Sequence, residues 1–150
     1  MSSISRYDKY DPVSGGFRAS LAANFGYTSG NPDYAHADLG DVKCVSLNAN
    51  GEVVIGTPLN AGTSLGGLCG VMILTEPKAA GAVVDVMTSG EIVEFTLANG
   101  SAAAAGTTYT SNTDGTYGTT APGAQNGRIG QTVEATRLVV RVVQGAESTT

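Results

Sequence analysis

The sequence predicts an all-β protein: a small sandwich or barrel of about seven to eight short antiparallel strands, preceded by an extended N-terminal arm. Three observations carry this. Charged residues are only 14% of the chain, well below the usual quarter, so there is little material for the polar faces of amphipathic helices. Glycine reaches 21 residues, and turn signals recur between short runs of Val, Ile and Thr, which strands favour. The 150 residues fit one domain. We divide them into an irregular arm (1–38), a β domain (39–145) and a polar tail (146–150).

The stretch from Gly81 to Leu97 reads as the organising hairpin. Val83 to Thr88 and Ile92 to Thr96 are the strands, and Ser89-Gly90 is the loop. Glycine there supplies the positive φ that a two-residue loop needs. This register pairs Val86 with Val93 and Val84 with Phe95, placing all four on one apolar face. On the other face it sets Asp85 opposite Glu94. Opposed like charges destabilise a sheet, so either the register differs or a cation lies nearby. Arg141, which interrupts an apolar strand, is the favoured cation, from the same or a neighbouring subunit; the alternative is that it reaches solvent and the carboxylates are hydrated.

In the arm, Pro12, Gly15-Gly16, Gly30 and Asn31-Pro32 break up regular structure. Yet it holds Tyr7, Tyr10, Phe17, Phe25, Tyr27 and Tyr34, six of nine Tyr and Phe residues. Aromatics and Arg are common interface anchors. The arm therefore either docks on a partner, with Tyr7, Tyr10, Phe17 and Arg18 as contacts, or packs across its own domain. Val42 to Leu47 is a strand, Asn50-Gly51 a hairpin turn, and Val53 to Ile55 the return. Leu68 to Leu74 suits a strand buried on both faces or covered by a partner. Pro58 to Gly67 and Ala121 to Gly127 read as loops, and Ala98 to Gly106 has room for one helical turn. Thr107 to Thr110 and Thr116-Tyr117 flank the turn Asn112-Thr113-Asp114-Gly115. Ile129 to Ala135 and Leu138 to Val143 make the last pair. In the last strand Leu138, Val140 and Val142 share one face and Val139, Arg141 and Val143 the other. Both are largely apolar, so one is expected to meet the core and the other a neighbouring copy. Trp is absent and aromatics are 6%. A thin core of small residues makes oligomerisation a natural source of further burial.

The residues hold no strong catalytic set, and the chain is read as a non-enzyme. The sole histidine, His36, lies among Asp33, Asp38 and Asp41 without the spacing of a calcium loop, and reads as a solvated acidic turn. Ser64 to Gly70 is glycine-rich but lacks the Lys-Ser/Thr ending of a phosphate loop. Cys44 or Cys69 with His36 has no spacing that supports nucleophilic chemistry. The two cysteines read as small buried hydrophobes, with a single bridge as the alternative. Asp85 with Glu94 as a glycosidase pair makes a hydrolase the weakest reading. No metal and no cofactor is expected. Net charge is −5 and no Lys/Arg run exists, so no nucleic-acid partner is expected. No apolar run is long enough for a membrane span, and the first residues lack the apolar segment of a secretory signal.

Three stretches resemble the small head decoration proteins of tailed bacteriophages: Tyr7 to Arg18, Leu68 to Met72 with Ala80 to Glu91, and Ala135 to Val142. The resemblance implies a structural protein on the outer surface of the virion head. It would bind the major capsid protein, clamp neighbouring subunits of the expanded shell and assemble as a homotrimer, with a host-cytoplasmic phase during assembly. The alternative is a carbohydrate-binding or adhesion module displayed on the virion, which needs an aromatic platform or a metal-bound sugar site, and the β domain has few aromatics beyond Phe95, Tyr109 and Tyr117.

Overall fold

A computed structural model describes residues 15–28, 31–35, 39–56, 67–95, 104–112, 114–119 and 127–143. In chain order the strands are β1 (Gly16–Ser20), β2 (Tyr27–Thr28), β3 (Asn31–Ala35), β4 (Lys43–Leu47), β5 (Val53–Ile55), β6 (Gly70–Met72), β7 (Val83–Met87), β8 (Ser89–Ile92), β9 (Thr108–Ser111), β10 (Tyr117–Gly118), β11 (Arg128–Glu134) and β12 (Arg137–Val143). Two antiparallel five-stranded sheets result, ordered β1-β7-β6-β4-β5 and β10-β9-β11-β12-β8, with β2 and β3 as a separate ribbon. The described residues contain no helix. The architecture is sandwich-like, as the composition predicts.

The expected hairpin within Gly81 to Leu97 does not form. β7 pairs with β1, with Phe17 opposite Val86, Arg18 opposite Asp85 and Ala19 opposite Val84. β8 pairs instead with β12, with Leu138 opposite Ile92 and Arg141 opposite Ser89. The chain passes from one sheet to the other at Thr88. Its N–H donates to the Gly15 carbonyl at 2.7 Å, and its carbonyl accepts from the Val142 N–H at 3.0 Å. The physical reason is burial. Val84 and Val86 are covered in one core and Phe95 in another, an arrangement no single hairpin face provides. Val93, expected inside, is 66% exposed.

One core lies between the sheets. Cys44 and Val71 contribute from the first sheet, and Tyr109, Ile129, Leu138 and Val140 from the second, with Phe95 beside them. A second core covers the opposite side of the first sheet: Val45, Val53, Met72, Val84 and Val86 pack with Leu21, Phe25 and Leu74. Leu21, just past β1, forms a parallel bridge with Val53 and exchanges backbone hydrogen bonds of 2.8 Å with Ala82 and Gly81. It thus joins the β1 side of the first sheet to the β5 side. This cover on two faces explains why all three residues of β6 are buried, as the apolar run Leu68 to Leu74 predicts.

The stretch 1–38, expected as an irregular arm, is partly built into the domain. β1 forms an edge of the first sheet, and Phe17 and Ala19 pack on its core. Alternation explains this: Phe17, Ala19 and Leu21 fall on one side of an extended strand.

The expected hairpins at Asn50-Gly51 and Asp114-Gly115 form. In the first, the Asn48 carboxamide oxygen accepts from the N–H groups of Asn50 and Glu52 at 2.9 Å each. In the second, Asp114 Oδ1 accepts from the N–H and hydroxyl of Thr116. The second turn also docks on the first sheet, its Gly115 carbonyl accepting from Cys44 N–H at 2.8 Å. Gly115 has φ +92°, and a Cβ there would lie 2.6 Å from Ile55 Cγ2. Phe95, Tyr109 and Tyr117 gather in this region, with ring centroids 5.1 Å apart for both Phe95 pairs and 5.9 Å for the tyrosine pair.

Two substitutions test this core. Phe95→Ala removes the ring at the centre of the cluster and is expected to cost about 3–5 kcal/mol in urea unfolding. Gly115→Ala meets both a positive φ and a steric clash, and is expected to cost more than about 1 kcal/mol. An unchanged unfolding midpoint in either variant would contradict the packing described.

Candidate interaction surfaces

Among the described residues, no group of three or more His, Cys, Asp or Glu residues is placed to hold a metal ion. Of the expected acidic turn, Asp33 falls in β3 and Asp41 follows it, while residues 36–38 lie outside the described set. The expected contacts Tyr7 and Tyr10 also lie outside it. The other two, Phe17 and Arg18, sit side by side on β1 and point to opposite faces. Phe17 is half-buried against the core, whereas Arg18 is exposed.

The expected network of Asp85, Glu94 and Arg141 is not assembled within the chain. Asp85 pairs across the β1–β7 ladder with Arg18, whose Nε donates to Oδ1 at 2.8 Å. Arg141 stands opposite Ser89 in the other sheet. The sheet crossing at Thr88 separates β7 from the strand it was expected to pair with, so Asp85 and Glu94 are not opposed. An arginine does bridge two carboxylates, four residues earlier: Arg137 donates to Glu91 at 3.1 Å and to Glu134 at 3.0 Å, tying β8, β12 and β11 together. The sequence signal, a charge inside an apolar strand, pointed to Arg141 and not to Arg137, because it does not show which strands flank β12.

Two clefts mark the surface. The first, of about 750 Å³, runs along β1 and β7 beside Val71 and Ile73, with the Arg18–Asp85 pair in its wall. The second, of about 470 Å³, lies on the outer face of the second sheet. There β12 alternates as expected: Leu138 and Val140 are buried, while Arg141 and Val143 are exposed and Val139 is half-buried. β11 adds Arg128, Gln131 and Val133 to the same cleft, with Gln131 opposite Val139 and Arg128 opposite Val143. The register shifts between Arg128 and Gly130. Gly130 is required there, since a Cβ would lie 2.1 Å from the Val139 carbonyl oxygen. Val133 and Val143 are each 52% exposed. Among the described residues, no carboxylate pairs with Arg128 or Arg141; the ion pairs of Arg18, Lys78 and Arg137 are made elsewhere.

Phe95, Tyr109 and Tyr117 do not form an aromatic platform at the surface. Phe95 and Tyr109 are buried, and Tyr117 packs against them. Burial pushes the Tyr117 phenol up to about 12, with the negative charge of Asp41 adding to the effect. Cys44 and Cys69 are free thiols. Burial pushes Cys44 up to about 12, helped by Asp114, and Cys69 up to about 11. Both shifts disfavour the thiolate, the nucleophilic form, at neutral pH.

No protein-family model and no curated protein matches the chain. Among solved structures, the fold is similar to that of a protein of Mycobacterium phage Patience, with a TM-score of 0.68 and 21% sequence identity. The match covers 94% of this chain and 96% of that one. The likeness is therefore one of whole fold.

Two measurements check this description. The two thiols and Tyr117 have raised folded-state pKa values, so the stability they contribute is complete below their ordinary values of 9.0 and 10.0 and is lost as pH climbs toward 11–12. The unfolding midpoint is therefore expected to fall steadily above about pH 9, and a flat profile to pH 11 would be the contrary result. The Arg18–Asp85 pair is exposed on both sides. A double-mutant cycle of Arg18→Met with Asp85→Asn should give a coupling under about 1 kcal/mol, smaller at high salt.

Proposed function

We propose that this chain is a structural decoration protein of a phage head, bound to the outer surface of the expanded shell and clamping neighbouring capsid subunits as a homotrimer. The observation that carries the reading is the likeness of fold to a phage protein, which extends over nearly the whole of both chains. The surface supports it. The described residues offer a wide sheet face with exposed valines and two arginines lacking carboxylate partners. Many copies on a lattice gain avidity, so each contact need only be modest. Arg18, exposed at the edge of the domain, and the preceding Tyr7 and Tyr10 are the contacts assigned to the capsid.

The test is cosedimentation of the purified chain with undecorated expanded heads. Saturable binding in many copies, with a rise in the temperature at which the heads open, is expected. Tyr7→Ala with Tyr10→Ala should weaken binding at least about tenfold, equivalent to 1.4 kcal/mol, while leaving the unfolding midpoint unchanged. Absence of binding by the wild-type chain would overturn the reading. Full-strength binding by the double variant would remove those tyrosines from the contact.

A further inference from the structure

We propose that the two-arginine cleft on the outer face of the second sheet is the seat for the Val93–Glu94 turn of a second copy of this chain. The inference rests on the homotrimeric assembly proposed above and names its contact.

The cleft joins two kinds of group. Val133 and Val143 are half-exposed apolar surface, and Arg128 and Arg141 carry positive charge that no described carboxylate neutralises. A covering partner must therefore bring an apolar side chain together with a carboxylate. Among the described residues, two exposed large hydrophobics adjoin an exposed carboxylate, Val93 with Glu94 and Val133 with Glu134, and Glu134 is held by Arg137. Val93, at 66%, is the most exposed of them. It adjoins Glu94, which is exposed and has no ion pair among the described residues. The remaining carboxylates of the second sheet, Glu91 and Glu134, are held by Arg137.

Register rules out contact within one copy. Phe95 N–H donates to the Thr136 carbonyl at 2.7 Å, which fixes the Val93–Glu94 turn at the Thr136 end of β12. Arg141 lies five residues further along. At about 3.3 Å per residue the two are on the order of 15 Å apart, beyond any ion pair. The turn and the arginines thus occupy opposite ends of one sheet. A contact between unlike patches on the same chain is head-to-tail, and a head-to-tail contact closes into a ring when its rotation allows. A homotrimer is such a ring. The charge pairing sets orientation, and the valines supply the buried area.

The test uses the full chain in analytical ultracentrifugation, with far-UV circular dichroism as a check of folding and cosedimentation with expanded heads as a parallel readout. The wild type should sediment as an oligomer at tens of micromolar and dissociate as salt rises, because the pair is rim-exposed. Glu94→Arg alone, and Arg128→Glu with Arg141→Glu, should each weaken association at least about tenfold. Combining all three reversals in one chain should restore it. Unchanged association in either partial variant overturns the proposal, as does failure of the folded triple variant to recover. A wild type that stays monomeric also overturns it. If the monomer then loses head binding on arginine reversal, the cleft belongs to an acidic segment of the shell. If the wild type oligomerises as described but binds no heads, the contact stands and the decoration role falls.

Discussion

The structure depends on the crossing at Thr88. One run of β-forming residues is divided there between two sheets, its first half laid against β1 and its second against β12. The Thr88 peptide is held on both sides, by Gly15 ahead of β1 and by Val142 within β12. The two cores therefore share a covalent strand, and neither sheet can shift without disturbing the other. Corners of this kind, where strands change sheets, are how packed β-layers are closed into one unit. The turn at Gly115, docked on Cys44 and Ile55, is a second tie between the same layers.

A chain with few charged residues must place them well, and this one spends most of its described ion pairs on ladders between strands. Arg18 meets Asp85 across β1 and β7, and Arg137 meets carboxylates on both flanking strands. These pairs lie at the surface, where each contributes little stability, but they discriminate one strand register from another, since a slip of one residue would turn each charge to the opposite face. The other two described arginines, Arg128 and Arg141, lie together on the outer face of the second sheet. That face alternates apolar and basic residues along β12 and β11, which distinguishes it from a fully solvated surface. Cys44 and the rings of Phe95 and Tyr109 are interior packing.

Much was legible in the residues. Low charge, glycine-rich turns and β-branched runs imply an all-β chain because those properties act over a few neighbouring positions. The turns at Asn50-Gly51 and Asp114-Gly115 are set by side chains that bond the backbone two residues on, the strand Gly70–Met72 by its unbroken apolar character, and the split of Leu138 and Val140 from Arg141 and Val143 by alternation along one strand. Strand partners were not legible. Val83 to Thr96 contains a good local hairpin signal, and only the burial available to Val84 and Val86 in one core, and to Phe95 in another, outweighs it. Phe17 reads equally well as a docking aromatic or a core residue until β1 is seen against β7. Arg141 stands out in sequence as a charge inside an apolar strand, yet Arg137 is the one that bridges carboxylates, because the strands on either side decide which partners are in reach. Composition and short-range pattern determine which segments are extended and where they turn, because those preferences are local. The pairing of strands, and with it the gathering of Arg128 and Arg141 on one open face, was decided by tertiary structure, because pairing is a competition between distant segments for the same buried surface.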